Sequence, residues 1–444
     1  MRKGNTANAR ECALSVLVAC RRNGAWADAA LKAQLGKCAL SAQDAALCSR
    51  IVYGVMQNEL LLNWYLSAYC TQKLDHLQPP LADILRIGAY QILFLDKVPD
   101  HAAVSESVEL CRTNGRSAAS GLVNAVLRKV AQNKSNLPPL PEGNIARLSV
   151  AYSHPQWLVK KLVSLLGVEE AEAFLRIDNE ASPISVQVNP LKTNEKALVD
   201  ELRGEGVCVT PHPWVPGCLE LSGTGDLTTL SAFYNGRFTV QDAAAHLIVC
   251  AADFARGQRV LDVCAAPGGK SFAAAFAMEN EGSILSCDLH ENKLKRIREG
   301  AQRLGITCIE TAAVDGRAFR EEWAGHFDVV ICDVPCSGFG VIAKKPEIRG
   351  KTEAEISALP AIQRDILDNL AAYVKRDGVL LYSTCTVLRA ENEDVVNAFL
   401  ADDGEFAPEG FNVGGVSEPS GMHCFWPNVD GTDGFFAAKL RRIK

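Results

Sequence analysis

The chain has 444 residues, 48% apolar and 22% charged, with a net charge of −6. That length exceeds one ordinary core, so two or three globular domains are expected. No apolar run is long enough to span a bilayer, the N-terminus lacks a cleavable leader pattern, and 16 scattered cysteines without a C-x-x-C pair argue against a disulfide scaffold or a structural zinc. A cytoplasmic protein with reduced thiols, no membrane association and no metal is expected.

Residues 1–135 hold 16 Lys+Arg against 10 Asp+Glu, a basic front on an acidic body. Apolar positions recur at three and four spacing in "ADILRIGAYQILFL" and "GLVNAVLRKVA", so residues 5–132 read as an all-α unit. Basic character on a helical surface makes Arg2, Lys3, Arg10, Arg21, Arg22, Arg128 and Lys129 candidate phosphate contacts. "NKSNLPPLPEGN" (133–144) reads as a linker. From 136 to 225 the pattern is a linker and a small α/β subdomain. "PQWLVKKLVSLLG" is helical, "ISVQVNP" a short strand, "EKALVDELRGEG" a helix and "CVTPHPWVPGCLEL" extended.

From 226 to 444 strands and helices alternate. The predicted strands are 259–264, 282–289, 306–312, 327–333 and 377–385, with "FFAAKLRR" as an edge strand. Such alternation implies a mostly parallel sheet covered on both faces, with ligands beyond the C-terminal strand ends.

The first of these strands runs into "VLDVCAAPGGKS". A phosphate-cradling loop would need Gly at position 264, where this chain has Cys, so an ATPase is disfavoured. Gly268 and Gly269 still let a ligand approach the backbone closely. Acids lie at or near four strand ends: Asp262, Asp288, Asp315 and Asp333. A single Asp in such a place is often a helix cap. Four in register form a rim suited to hydroxyls, an exocyclic amine and a cationic centre, features that S-adenosylmethionine combines.

Cys336 in "DVPCSGFG" and Cys385 in "YSTCT" follow two strands in polar turns, unlike Cys12, Cys20, Cys48, Cys250 and Cys332, which suit a core. Two thiols beside a methyl donor suit cytosine C5 chemistry. A thiolate adding to C6 makes C5 nucleophilic, and loss of the C5 proton later expels the sulfur. The chemistry alone leaves the two thiols exchangeable.

"DVCAAPGGK", "DVPCSGFGVI" and "YSTCT" resemble, in order, three motifs of the RNA cytosine-5 methyltransferases. "NGRFTVQDAAAHL" and "DGFFAAKL" are similar to that family too. The front segment resembles the NusB-like RNA-binding domain, and the pairing resembles the bacterial Sun/RsmB type. The resemblance implies a NusB-like helical domain, a ferredoxin- or RRM-like subdomain and a Rossmann-like methyltransferase domain. The implied reaction is methylation of a cytosine in 16S ribosomal RNA, extruded from a single-stranded or loop target, by a monomeric enzyme. It makes Cys385 the nucleophile and gives Cys336 product release. Cys264, Ala265, Ala266, Pro267, Gly268, Gly269 and Lys270, with Asp288, Asp315 and Asp333, become cofactor contacts, Asp333 also facing the ring. Two stretches depart from the family, both at places expected near RNA. "AKKPEIRGK" stands where an Asn-Pro-Asp-Ile-like stretch and a tryptophan are usual, and Gln187 stands in place of an arginine. An RNA-binding module without chemistry would leave both thiols unused. An adenine amino-methyltransferase would carry an aromatic residue, not Cys336, near the end of this strand.

Overall fold

The computed structural model describes residues 8–180 and 182–444. Two compact units are present. One holds the described residues to 180 together with Ile342–Lys351; the other holds Ser182–Val341 and Thr352–Lys444. No helix among the described residues is long and apolar enough to cross a membrane.

The first unit is helical. Its opening helix, Ala9–Asn23, begins at a capping box between Asn8 and Glu11 and stops at Gly24 in the left-handed region. The helix Leu81–Phe94 is buried along most of its length, because helices on several sides cover it. Its Asp83 and Arg86 are therefore paired inside, and Arg21 reaches Asp83 and Glu59 at 2.8 Å each. Arg10 is likewise engaged, by Gln91 and Glu106. Arg10 and Arg21 are thus structural cations, which corrects their reading as phosphate contacts. Arg22, Arg128 and Lys129 are exposed, while Arg2 and Lys3 lie outside the described residues.

Helices Asn144–Tyr152, Gln156–Leu166 and Val168–Ile177 complete this unit. The inserted segment Ile342–Lys351 is held by Arg349, which is 7% exposed. Its guanidinium donates to the carbonyls of Gln57 (2.5 Å) and Asp178 (2.6 Å), which end two helices whose C-terminal dipoles favour a cation. Beside it, His154 Nε2 lies 3.2 Å from the Asp178 carboxyl, and Nδ1 donates to Tyr152 O at 2.7 Å. Burial pushes Asp178 up to about 8 and the imidazole well below its usual value. The pair is therefore a neutral carboxyl against a neutral ring.

The second unit opens with a four-stranded antiparallel sheet, spatial order β2-β3-β1-β4. These strands are β1 (Ile184–Val188), β2 (Cys208–Pro211), β3 (Cys218–Ser222) and β4 (Phe238–Val240). Helix Glu195–Gly204 buries Leu198 and Leu202 in a core with Val186, Leu219 and Phe238. β4 is three residues long and gives no periodic signal, so it was not legible. Asn189 ties this sheet to the main domain, donating to the carbonyls of Gly236 and Leu304 at 2.8 Å.

The main sheet has five parallel strands: β5 (Arg259–Val263), β6 (Ser283–Asp288), β7 (Ile309–Ala313), β8 (Phe327–Asp333) and β9 (Val374–Thr384). β5, β6, β8 and the second half of β9 are mostly buried on both faces and read as apolar runs, while β7, at the sheet edge, is half-buried to exposed; Val330, Ile331, Leu380 and Leu381 are all fully buried, each contributing about 1.5–3 kcal/mol. Beyond them come β10 (Phe406–Pro408), the hairpin β11 (Phe411–Val413) and β12 (Val416–Glu418), then β13 (Met422–Phe425) and β14 (Phe435–Arg442). The order is β10-β14-β9-β8-β5-β6-β7, with β13 also on β14. "FFAAKLRR" is therefore not an edge strand: β9 lies on one side and β10 and β13 on the other. Its Lys439 is 1% exposed and held by Asp253 (2.6 Å) and Glu409 (2.9 Å). The chain runs from β5 to β6 and β7 on one side, then returns to place β8 and β9 on the other. That reversal opens a crevice past the ends of β5 and β8.

Candidate active site

After β5 the chain turns sharply. Cys264 has φ +68° and Gly268 φ +111°. A Cβ at Gly268 would lie 2.5 Å from the Phe272 ring, so only glycine fits there. Helix Gly269–Ala277 then starts, and Ser271 Oγ donates to Asp262 (2.5 Å) and meets Ser286 Oγ at 2.7 Å. Asp262 is fully buried and burial pushes it up to about 7; it braces the turn from beneath and does not face the rim.

The other three acids have different settings. Asp288, at the end of β6, accepts from His290 N–H (3.0 Å) and pairs with Lys293 (3.3 Å). Asp315 is more exposed and clamped by Arg317 at 2.9–3.1 Å, which holds its carboxyl below the usual range. Asp333, at the end of β8, receives Ser383 Oγ and the Lys270 ammonium, each at 2.7 Å. Burial, then the charges of Asp333, Asp262 and Asp288, push the Cys264 thiol up to about 12, so those three acids gather around the turn. Asp315 acts farther out.

Lys270 is thus no surface residue of a helix start. It is 8% exposed, lies over the Phe435 ring at 5.3 Å, and feels the charge of Cys385. Burial works against its charge; Asp333, Asp262 and Cys385 outweigh that and hold the ammonium above its usual value.

Cys336 and Cys385, separated by 49 positions in the chain, have their sulfurs 3.1 Å apart. Both are part-exposed. The Cys385 N–H also donates to Cys336 Sγ at 3.3 Å. Cys12, Cys48 and Cys332 are buried as their contexts suggested.

A buried polar network fixes the two thiol-bearing loops. Glu391 Oε2 accepts from Ser337 N–H (2.8 Å) and from Gln363 (2.9 Å), which also donates to Pro335 O. Ser337 Oγ meets Thr386 Oγ1 at 2.8 Å, Thr384 Oγ1 donates to Asn392 at 2.6 Å, and Asn392 donates to Thr386 O. Gln363, Glu391 and Asn392 were missed by sequence reasoning. For Glu391 and Asn392 the polar run "RAENED", four positions past the second thiol, was the available signal, but it is equally a helix start; for Gln363 there was none. A close backbone crossing completes the pocket wall. Gly340 N–H donates to Cys385 O (3.0 Å), Gly434 N–H donates to Gly340 O (2.7 Å), and a Cβ on Gly340 would meet Gly434 O at 1.8 Å.

Of the departing stretches, Gln187 is 2% exposed and donates to Gln241 O at 3.3 Å. "AKKPEIRGK" belongs largely to the helical unit, anchored by Arg349.

Comparison with known proteins agrees with this architecture. Residues 249–441 match the family described as 16S rRNA methyltransferase RsmB/F, 7–132 the NusB family, and 154–228 the ferredoxin-like domain of RsmF/B-like methyltransferases. A probable ribosomal RNA small subunit methyltransferase B of Bacillus subtilis is 35% identical over 98% of both chains. The small subunit methyltransferase B of Serratia proteamaculans is 31% identical over 91% of this chain and 92% of its own. Among solved structures, PH0851 superposes with a TM-score of 0.83 at 27% identity, covering 99% of this chain and all of that one. A methyltransferase homologue from Pyrococcus horikoshii gives 0.59 at 26%, covering 68% and all, respectively. Identity at this level along nearly the whole chain, with all three domains in order, makes the protein a member of the RsmB/F family of methyltransferases.

Proposed function

We propose that the protein methylates C5 of a cytosine in 16S ribosomal RNA, using S-adenosylmethionine and a covalent cysteine–C6 adduct. The observation that carries this reading is the pair of part-exposed sulfurs 3.1 Å apart, beside the Lys270–Asp333 ion pair at the sheet crevice. The residues present fit the cofactor. The turn Cys264–Lys270 bares its backbone at Gly268, where a side chain would clash, and the acids nearby suit hydroxyls, an amine and a sulfonium rather than polyphosphate. Cys264, Ala265, Ala266, Pro267, Gly268, Gly269 and Lys270, with Asp288, Asp315 and Asp333, would hold it. When bound, S-adenosylmethionine supplies an electrophilic methyl group.

The chain's own residues do the rest. Cys385 Sγ bonds to C6, which makes C5 electron-rich. Asp333 and Lys270, locked together, border the place where the ring stands; a protonated or hydrogen-bonded N3 favours the addition. After methylation C5 carries both a methyl group and a proton. Loss of that proton restores the C5–C6 double bond and expels Cys385, with Cys336 positioned to assist. The Arg22, Arg128 and Lys129 side chains on the helical unit offer phosphate contacts, and the target base must leave its stack to reach the thiols.

Bisulfite mapping of 16S RNA incubated with the protein and methyl donor tests the reading. A single new protected cytosine is expected. No protected cytosine, or methylation on an exocyclic amine, overturns it.

A further inference from the structure

Two like thiols 3.1 Å apart do not both ionise, because like charges at that distance repel strongly. The pair therefore gives up its protons one at a time, and once the first has gone to solvent the two sulfurs share the one that remains. Residue type does not decide which sulfur keeps the proton; the surroundings do.

Those surroundings differ. Cys385 lies in the field of the Lys270 ammonium. Cys336 stands next to Ser337, whose N–H is bonded at 2.8 Å to Glu391 Oε2. Glu391 is 1% exposed and accepts a second N–H from Gln363, while its Oε1 is buried with no hydrogen-bond partner. One oxygen thus accepts two N–H donors, and the other has no acceptor beside it. A buried carboxylate with a bare oxygen is costly to keep, so its place behind one of the two thiols calls for a reason. Asp333 also faces Cys336, neutralised in part by Lys270, and the Tyr382 phenol lies nearby. One contact opposes the trend: the Cys385 N–H donates to Cys336 Sγ at 3.3 Å, a weak donor to a sulfur that a thiol also accepts.

We propose that Glu391 keeps the shared proton on Cys336 and so leaves Cys385 as the thiolate, acting as a positioning residue for the nucleophile. The proposal rests on the cytosine-5 reading of the site. It also accounts for a change of role during turnover. Once Cys385 is bonded to C6 its negative charge is gone, so Cys336 sheds its proton to solvent more easily. The charge of Glu391 then makes the Cys336 thiolate a stronger base toward the C5 proton. The hydrogen bond with Cys385, burial, and the charges of Cys385, Glu391 and Asp333 all raise the Cys336 thiol well above its ordinary value in the resting protein.

The test uses the full chain and needs no RNA. Cys385→Ser and Cys336→Ser each leave one site thiol, and iodoacetamide labelling followed by peptide mass spectrometry gives its reactivity against pH. With Glu391 intact, the midpoint for Cys336 is expected above that for Cys385; the reverse order overturns the proposal. Glu391→Gln is then added. Its carbonyl oxygen can keep both N–H bonds while the charge is lost. The Cys336 midpoint is expected to fall by about one pH unit, with a smaller change at Cys385. No change at Cys336, or equal changes at both, overturns the proposal. Should Glu391→Gln not fold, the order of the two midpoints alone still decides. A failure of cytosine methylation would leave these midpoints as they are, so the two readings fail separately.

Discussion

Replacing Lys270 by Met removes one end of a contact that is largely out of water. The Lys270 and Asp333 side chains are 10% and 29% exposed, with N and O 2.7 Å apart. Truncating one partner of a fully buried pair costs about 3–5 kcal/mol, mostly because the other charge is left unpaired. Asp333 keeps Ser383 Oγ and some solvent. The loss here is therefore below that of a fully buried pair, about 2–3 kcal/mol. For a domain of this size that is a fall in Tm of about 5–10 °C. Adding Asp333→Asn removes the orphaned charge, so the double variant should be more stable than the sum of the single losses predicts, by at least about 1 kcal/mol. Thermal unfolding of the four proteins at one ionic strength measures this. Losses below about 0.5 kcal/mol, or additivity within that amount, would refute the claim that the pair is a coupled unit in a low-dielectric site. The same substitution withdraws the cation beside Cys385, so Cys385 labelling should move to higher pH and methyl transfer should slow.

Cys385→Ala should abolish both methyl transfer and the denaturant-resistant protein–RNA adduct, whereas Cys336→Ala should accumulate that adduct on gels; an adduct in the Cys385 variant instead would exchange the two roles. Gly340→Ala should cost about 1–3 kcal/mol and disturb the thiol pair, because the Gly434 carbonyl occupies the space of the new methyl; an unchanged Tm would mean the crossing relaxes freely. The helical unit should lose stability as pH rises from about 6.5 to about 8. Folded, the Asp178 carboxyl keeps a proton up to about 8 that an unfolded carboxylate has already lost, so rising pH favours the unfolded chain. Below about 6.5 the unfolded His154 takes up a proton that the buried ring refuses, and this opposite effect cancels the first. The loss is up to about 2 kcal/mol, and Asp178→Asn should flatten it in denaturant titrations at the two pH values.

Much of this was legible in one dimension. The four inner parallel strands announced themselves as apolar runs ending in Asp or in a turn, since a strand buried on both faces cannot alternate, whereas β7 at the edge was marked by its place between helices. The Gly268 turn and the polar settings of Cys336 and Cys385 were visible for the same reason: each depends on neighbours a few positions away. Arg10 and Arg21 misled, because a cation on a helix looks the same whether a phosphate or a buried Asp83 will meet it. "FFAAKLRR" misled because its flanking partners β9, β10 and β13 come from other segments, which its own pattern does not reveal.

Local order, turn geometry and the supply of reactive groups were therefore written in the sequence itself, through side-chain period and backbone freedom. The tertiary structure alone decided the pairings. It brought Cys336 to Cys385, turned Lys270 inward onto Asp333, set Glu391 and Gln363 behind the Pro335 loop, and carried residues 342–351 into the helical unit around Arg349. Such partners are chosen by burial and charge compensation in a shared interior, and no pattern within one segment encodes which distant segment will supply the other half.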